Sequence, residues 1–354
     1  MLKKTIIIVL ILGLSLATGS FFLYWHSDQN QLGRLGYTQE DIQIICSHGQ
    51  NFVKQVLQLD FEPQLHDILR QTDFQSQNLT FYLQELKRLQ LPVESIVTFV
   101  NHPNYRSEED YSIDQAAIML HQYYLPANHE RYFTLLEQHS ATKKISSDEI
   151  VALVNSNRDR EFYSNIVPTN LDDNILMLVN KYYYLEADYE PELVLLDQSY
   201  GAPEVYLESE TFTHFDMLFQ AALASGIQLY ITSGYRGYAP QEEVFLDYLS
   251  RMSEEEALTY AAKPGFSEHQ TGFALDVFVP GETTETFQNT FAASWLAEHA
   301  HGFGFILRYP PGKENLTGYS YEAWHFRYVG CEAANYIYEN GLTLEEYWAV
   351  FVQK

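Results

Sequence analysis

The sequence predicts an α+β protein with one transmembrane helix, an all-helical N-terminal region, and a C-terminal domain whose small antiparallel sheet is flanked by helices. Three observations lead to this prediction. An uncharged apolar run opens the chain, apolar residues at helical spacing follow it, and helix and strand patterns alternate after about residue 170. We therefore place the domain boundaries at residues 1–26, 27–165 and 166–354.

Composition limits the classes of protein to which this chain can belong. Its 354 residues exceed the size at which single cores stop growing, about 250 to 300 residues, so two domains are expected. A net charge of -26 argues against a nucleic-acid partner, because phosphate binding needs an excess of Lys and Arg. Cys46 and Cys331 are too few and too far apart for a disulfide scaffold or a thiolate metal site. Any metal must then bind to histidine and carboxylate side chains.

The first residues predict a membrane anchor. Lys3 and Lys4 precede the apolar run Thr5–Trp25, which is long enough to cross a bilayer as a helix. The positive-inside rule then places the rest of the chain outside the cytoplasm, attached to the cell membrane by a single pass. The alternative is a signal peptide cleaved near Ala17-Thr18-Gly19, which would give a secreted protein. We favour the anchor because the apolar run continues beyond that site and ends in aromatic residues.

The region up to residue 165 reads as short helices without a catalytic cluster. Thr38 and Asp41 form a capping-box pattern, and Leu79–Leu89 carries apolar residues at helical spacing. Three short segments resemble one another, and their spacing is irregular: Ile96–Asn101, Ile150–Asn155 and Ile175–Asn180. Irregular spacing argues against a solenoid, whereas small helical units with a common ending fit the pattern.

Helices and strands alternate in the C-terminal part. Apolar residues from Phe212 to Ala222 mark one face of a helix that Gly226 ends, and Ile227–Ile231 then alternates as a strand. The remaining predicted elements are a helix opened by Pro240, a buried strand at 274–279, a helix at 294–300 closed by Gly302, and a strand at 324–329. Polar residues lie at the strand ends, where sites are usually built.

Three polar clusters in this domain contain the residues for metal chemistry. They are Ser233-Gly234-Tyr235-Arg236 with Gln241, the segment Ser267–Asp276, and Glu322-Ala323-Trp324-His325. Among their residues are two histidines, an aspartate and the glutamate of the third cluster. A catalytic zinc needs three protein ligands and one open position, and a nearby glutamate can accept a proton from the attacking water.

These clusters resemble the signature of a known family. The pattern Ser-x-His-x-x-Gly-x-Ala-x-Asp, followed downstream by Glu-x-Trp-His, is similar to that of the VanY-like D-alanyl-D-alanine carboxypeptidases. These are zinc DD- and LD-carboxypeptidases, related to the D-Ala-D-Ala dipeptidases. The resemblance extends from about residue 180 to residue 330 and includes Ser-Gly-Tyr-Arg and Leu-Arg-Tyr-Pro.

The resemblance implies a role for each matching residue. The implied zinc ligands are His269, Asp276 and His325, with Glu322 as catalytic base and Arg236 beside the scissile carbonyl. The implied substrate contacts are Ser233, Tyr235, Gln241 and Ser267. Gln241 and Ser267 could equally be a residue of a first helical turn and a loop cap. Where the family often has serine after the arginine, this chain has glycine at position 237.

The predicted function is removal of the terminal D-alanine from peptidoglycan stem peptides by metal-activated water attack. A D-Ala-D-Ala dipeptidase and a wall endopeptidase are alternatives that would use the same metal centre. A cell-wall-binding protein that has kept the fold and lost catalysis is an alternative of another class. Zinc content would separate the last alternative from the enzymes.

Overall fold

The structure, a computed structural model, describes residues 27–140 and 145–353. The predicted anchor Thr5–Trp25 lies outside the described residues. Among the residues that are described, none of the helices has the length and apolar character needed to cross a membrane.

The chain divides into two compact units, Met1–Pro126 and Ala127–Lys354. The division falls before the predicted boundary at residue 165, so the last helical pair of the N-terminal region groups with the C-terminal domain. One cause is local packing, because the helix Ser147–Asn155 contacts two helices near the C-terminus, Glu314–Thr317 and Leu344–Phe351.

The described part of the first unit, from residue 27 onward, is helical, as predicted. Residues 27–35 are helical, and the elements that follow are α1 (Gln39–Ser47), α2 (Gln50–Leu57), α3 (Leu65–Ile68), α4 (Leu79–Leu89), α5 (Val93–Val100) and α6 (Ile113–Met119). The capping box predicted at the start of α1 is present, with Thr38 and Asp41 each accepting a hydrogen bond from the other's backbone amide. Helix α4 has the predicted bounds.

Two of the three similar segments lie at helix ends, and in each the final asparagine accepts a hydrogen bond from a tyrosine hydroxyl. The Tyr82 hydroxyl donates to Asn101 Oδ1 at the end of α5, and the Tyr132 hydroxyl donates to Asn155 Oδ1 in the second unit, both at 2.6 Å. The third segment, Ile175–Asn180, is not a helix. A 3₁₀ turn ends at its second residue, after the left-handed backbone of Asn174, and the chain then continues in non-helical conformation.

The second unit combines helices with small sheets. Its helices are α7 (His129–Ser140), α8 (Ser147–Asn155), α9 (Ser209–Ala224), α10 (Tyr238–Arg251), α11 (Glu254–Ala257), α12 (Thr284–Phe287), α13 (Phe291–His299), α14 (Glu314–Thr317), α15 (Cys331–Asn340) and α16 (Leu344–Phe351). Its strands are β1 (Val167–Pro168), β2 (Tyr183–Tyr184), β3 (Leu193–Leu195), β4 (Tyr206–Glu208), β5 (Tyr230–Ser233), β6 (Ala274–Phe278), β7 (Phe305–Leu307) and β8 (His325–Tyr328). Strand β5 begins three residues later than predicted.

The largest described sheet has the strand order β5-β6-β8-β7, and every neighbouring pair is antiparallel. Alternation along these strands separates two faces. Leu275 and Val277 of β6 and Phe326 and Tyr328 of β8 join the main hydrophobic core, which also contains Phe215 of α9. The intervening residues of β6 and β8 face the other side of the sheet, where polar groups are concentrated.

Candidate metal centre

The strand register brings two of the predicted ligands side by side. Asp276 of β6 pairs with Ser233 of β5 on one side and with His325 of β8 on the other. Asp276 therefore lies in the middle of a row across three strands. The carboxylate and the imidazole project from the polar face of the sheet, because their sequence neighbours Leu275 and Phe326 point into the core.

His269 reaches the same place from a short 3₁₀ turn, Glu268–Thr271, that precedes β6. Its Nδ1 lies 2.7 Å from the carbonyl oxygen of Gly234, which leaves Nε2 directed at Asp276. Gly234 is required here by close packing, because a Cβ at this position would lie 2.3 Å from the Tyr206 carbonyl oxygen. The Gly234 carbonyl group of the Ser-Gly-Tyr-Arg segment thus fixes the orientation of the His269 imidazole, 35 residues later in the sequence.

The three side chains form a cluster that fits a metal ion. One ligand atom from each of His269, Asp276 and His325 lies within 4.8 Å of the other two. His269 Nε2 is 3.4 Å from Asp276 Oδ2, and His325 Nδ1 is 3.3 Å from Asp276 Oδ1. These separations match the edge of a tetrahedron of ligands about 2.1 Å from a central zinc, which is about 3.4 Å. Asp276 Oδ1 is buried and makes no hydrogen bond to the described residues, as expected of an atom that binds a cation.

The local charges are strongly coupled. Burial lowers the pKa of His269, and the Arg236 guanidinium lowers it further. Burial works against ionisation of Asp276, yet the two histidines hold the pKa of its carboxyl well below the usual range. Burial also opposes protonation of His325, but the carboxylates of Asp276 and Glu268 raise its pKa to about 9. Without a cation, the surrounding carboxylates therefore favour a proton on His325 in place of the metal charge.

Glu322 lies beside this cluster but is not one of its three candidate ligands. Its Oε2 lies 3.6 Å from His325 Nδ1, and its side chain is 12% exposed. Burial raises the pKa of Glu322 to about 8, with Asp276 adding to the increase and His325 opposing it. A carboxyl group with a raised pKa at the edge of a metal cluster is suited to accepting and returning a proton.

Arg236 is held over the site by two of the residues predicted to contact substrate. Its Nε donates to Gln241 Oε1 at 2.7 Å, and its Nη1 donates to Ser233 Oγ at 3.0 Å. Gln241 is buried and also donates to the carbonyl oxygen of Ala262 at 2.8 Å, so its amide group is engaged by the protein. These hydrogen bonds show that Ser233 and Gln241 orient the Arg236 guanidinium.

The cluster opens into a cleft of about 250 Å³. Gln241 and Ser267 line this cleft, whereas Ser233 and Tyr235 are outside its lining. The Tyr235 hydroxyl lies 3.0 Å from the position that a Cβ on residue 237 would occupy. Six aromatic side chains that were given no role from the sequence also line the cleft: Tyr248, Tyr260, Phe278, Tyr309, Tyr319 and Trp324.

Behind the cluster lies a buried group of four charges that were given no role from the sequence. Glu268 accepts hydrogen bonds from Arg308 Nε at 2.8 Å and from Arg327 Nη1 at 3.1 Å. Arg308 also makes a bidentate pair with Glu345 of α16, at 2.9 and 2.6 Å. All four side chains are at most 2% exposed. A signal was present in the sequence, since both arginines interrupt apolar strand patterns in which an unpaired charge would be costly.

The chain is similar to known carboxypeptidases. The family model for VanY, D-alanyl-D-alanine carboxypeptidase, matches residues 204–331. YodJ of Bacillus subtilis (strain 168) is 42% identical over 184 residues, which are 50% of this chain and 67% of the relative. The bifunctional D-Ala-D-Ala dipeptidase and D-Ala-D-Ala carboxypeptidase VanXYC of Enterococcus gallinarum is 35% identical over 180 residues, 49% of this chain and 93% of the relative. The solved LdcB LD-carboxypeptidase is 40% identical, with 53% of this chain and 91% of that chain covered and a TM-score of 0.49. The chain belongs to the VanY D-alanyl-D-alanine carboxypeptidase family.

Proposed function

We propose that this protein is a zinc-dependent DD- or LD-carboxypeptidase that removes the terminal D-alanine from peptidoglycan stem peptides. One observation carries the proposal: two histidines and an aspartate converge within 4.8 Å in a cleft that also contains Glu322 and Arg236. Two imidazoles and one carboxylate are a ligand set typical of catalytic zinc, which keeps a fourth position open. Membership of the VanY family supports the substrate class.

In this proposal, His269, Asp276 and His325 would hold zinc, which would supply Lewis-acid polarisation of the scissile carbonyl and acidification of water. Glu322 accepts the proton from the attacking water. It then gives this proton to the amino group of the departing D-alanine as the peptide bond breaks.

Arg236 provides the positive charge that a carboxypeptidase needs near the end of its substrate. Its guanidinium is held by Ser233 and Gln241 and lines the cleft beside Glu322. A guanidinium fixed in this way can pair with the terminal carboxylate or stabilise the developing oxyanion. Either role requires that its orientation be set before substrate arrives, which the two hydrogen bonds accomplish.

Mass spectrometry of defined stem peptides tests the activity. The purified protein is incubated with zinc and either a pentapeptide ending in D-Ala-D-Ala or a tetrapeptide ending in a single D-Ala. Loss of one alanine from the pentapeptide identifies DD-carboxypeptidase activity, and loss of one from the tetrapeptide identifies LD-carboxypeptidase activity. A chelator-treated sample is the control. Intact masses for both peptides, from protein that contains zinc, would contradict the proposal.

We further propose that the protein is anchored in the cell membrane by residues 1–26, with the rest of the chain on the outer side. The support comes from Lys3 and Lys4 before an apolar run of bilayer length. Substrate at the wall would then be within reach of the cleft. Protease added to intact cells should digest the chain after residue 26 and leave a cytoplasmic control protein whole. Complete protection of the chain would contradict this topology.

A further inference from the structure

The two carboxylate oxygens of Glu268 face different partners. Oε1 accepts hydrogen bonds from Arg308 and Arg327, while Oε2 points at His325, with 3.6 Å between it and Nε2. The Glu268 side chain is fully buried and that of His325 is 6% exposed. The carboxylate charge therefore lies beside Nε2 of the His325 imidazole, whereas the other ring nitrogen, Nδ1, faces the metal cluster.

The two facing atoms are both left without a partner. Glu268 Oε2 and His325 Nε2 are buried and make no hydrogen bond within the described part of the chain. Leaving buried polar atoms unpaired is costly, so such a pair is expected to close when the ring is held in its working orientation. The other ring nitrogen, Nδ1, lies 3.3 Å from Asp276 Oδ1 on the metal side.

We propose that Glu268 is a positioning residue for the metal centre. When His325 Nδ1 binds the metal, Nε2–H donates to Glu268 Oε2, and this hydrogen bond fixes the rotation of the ring. The inference rests on the proposed zinc site and adds a residue to it. Histidine ligands generally donate their second N–H to a carboxylate or carbonyl group. His269 already shows such a contact, at 2.7 Å from the Gly234 carbonyl oxygen.

The surroundings of Glu268 suit it to this task because they restrict its movement. Arg327 is tied to the carbonyl oxygens of Ile175 and Met177 at 2.8 and 3.0 Å, and Arg308 is tied to Glu345. With both arginines fixed, Oε1 is held in place and Oε2 keeps its direction toward the imidazole. The four charges balance, two positive and two negative, so Glu268 can remain ionised in a fully buried position.

The test uses the purified full-length protein in detergent and three variants. Glu268→Gln removes the charge, and Glu268→Asp keeps the charge for the arginines while drawing the carboxylate back from His325. Glu345→Gln is the matched control, because it removes an equally buried charge from the same cluster, keeps an amide oxygen that can accept a hydrogen bond from Arg308, and does not face the imidazole. For each protein we would measure the zinc dissociation constant by chelator competition, the visible absorption spectrum of the cobalt-substituted site, and the thermal unfolding midpoint.

We expect both Glu268 variants to bind zinc about 10- to 100-fold more weakly and to show an altered cobalt spectrum. Glu345→Gln should keep the wild-type spectrum and a zinc dissociation constant within about threefold of wild type, even if its unfolding midpoint falls. Wild-type zinc affinity in a folded Glu268→Asp protein would overturn the inference, and so would an equal loss of affinity in Glu345→Gln. Failure of the wild-type protein to bind zinc would instead contradict the proposed function.

Discussion

Replacing Glu322 with glutamine is the most direct test of how the cleft performs hydrolysis. Glutamine has the same shape and still forms hydrogen bonds, yet it cannot take a proton from water. Loss of a general base costs about 10²- to 10⁴-fold in rate, which corresponds to about 3 to 5 kcal/mol in activation free energy. The side chain is 12% exposed, so bulk water has little access to replace it. We therefore expect kcat to fall by at least about 100-fold.

Zinc binding should survive this substitution. Glu322 lies 3.6 Å from His325 Nδ1 and is not one of the three clustered ligands. Removing its charge should weaken zinc affinity by less than about tenfold, or 1.4 kcal/mol. Burial already raises the pKa of this carboxyl to about 8, so a neutral amide should leave the unfolding midpoint of the metal-free protein unchanged or higher.

The assay combines steady-state release of D-alanine from the pentapeptide or tetrapeptide with zinc content measured on the same sample. Glu339→Gln is the control, because Glu339 is an exposed residue at the end of α15, and this variant should behave as wild type. Turnover within tenfold of wild type in the Glu322→Gln protein would refute the proton-acceptor role. A protein that had lost its zinc would instead show that Glu322 belongs among the ligands.

Three further results are expected. Arg236→Ala should lower kcat/KM by about 10² to 10³ with a raised KM, because it removes a preorganised charge near the carbonyl and the substrate terminus; a change in kcat alone would contradict a part in substrate binding. Zinc affinity, measured by competition at a series of pH values, should rise about tenfold per pH unit and level off near pH 9, because zinc must displace the proton that His325 holds with a pKa of about 9; a flat profile would contradict that displacement. In the first unit, burial opposes ionisation of Asp41, but hydrogen bonds from Thr38 and Arg70 lower its pKa to about 2. The resulting stability, about 2 kcal/mol, is present above the unfolded pKa near 4 and is lost as the pH falls toward 2. The Asp41→Asn protein should lack this acid-dependent contribution to stability, which hydrogen exchange of the backbone amides of α1 would measure.

Local patterns were sufficient to predict several elements of secondary structure in both units. The apolar spacing of α4 and the capping box of α1 are interactions between near neighbours, so the sequence contains them directly. A strand at 274–279 was predicted from its apolar run, and the structure has it at Ala274–Phe278. The similarity of Ile175–Asn180 to two helix ends was misleading, because the conformation there depends on contacts with distant residues such as Arg327.

The ligand candidates could be selected from residue types and from the family resemblance, whereas their supports could not. Gln241 matched a position for substrate contact, and the structure shows its amide engaged with Arg236 and a backbone carbonyl. Glu268 was quoted within a motif without a role, because its partners Arg308 and Arg327 are 40 and 59 residues away. Such partners follow from strand order and register, which single-sequence patterns do not specify.

The bidentate pair between Arg308 and Glu345 has a consequence for the order in which the chain is made. During synthesis Arg308 leaves the ribosome 37 residues before the glutamate that shares its charge. Until α16 arrives, burial of this arginine in the sheet would leave a positive charge only partly neutralised. Burial of Arg308 behind the metal centre is therefore electrostatically favourable only after residues well past the last ligand have emerged. Hydrolytic competence would then appear only after Glu345 and the rest of α16 have been synthesised.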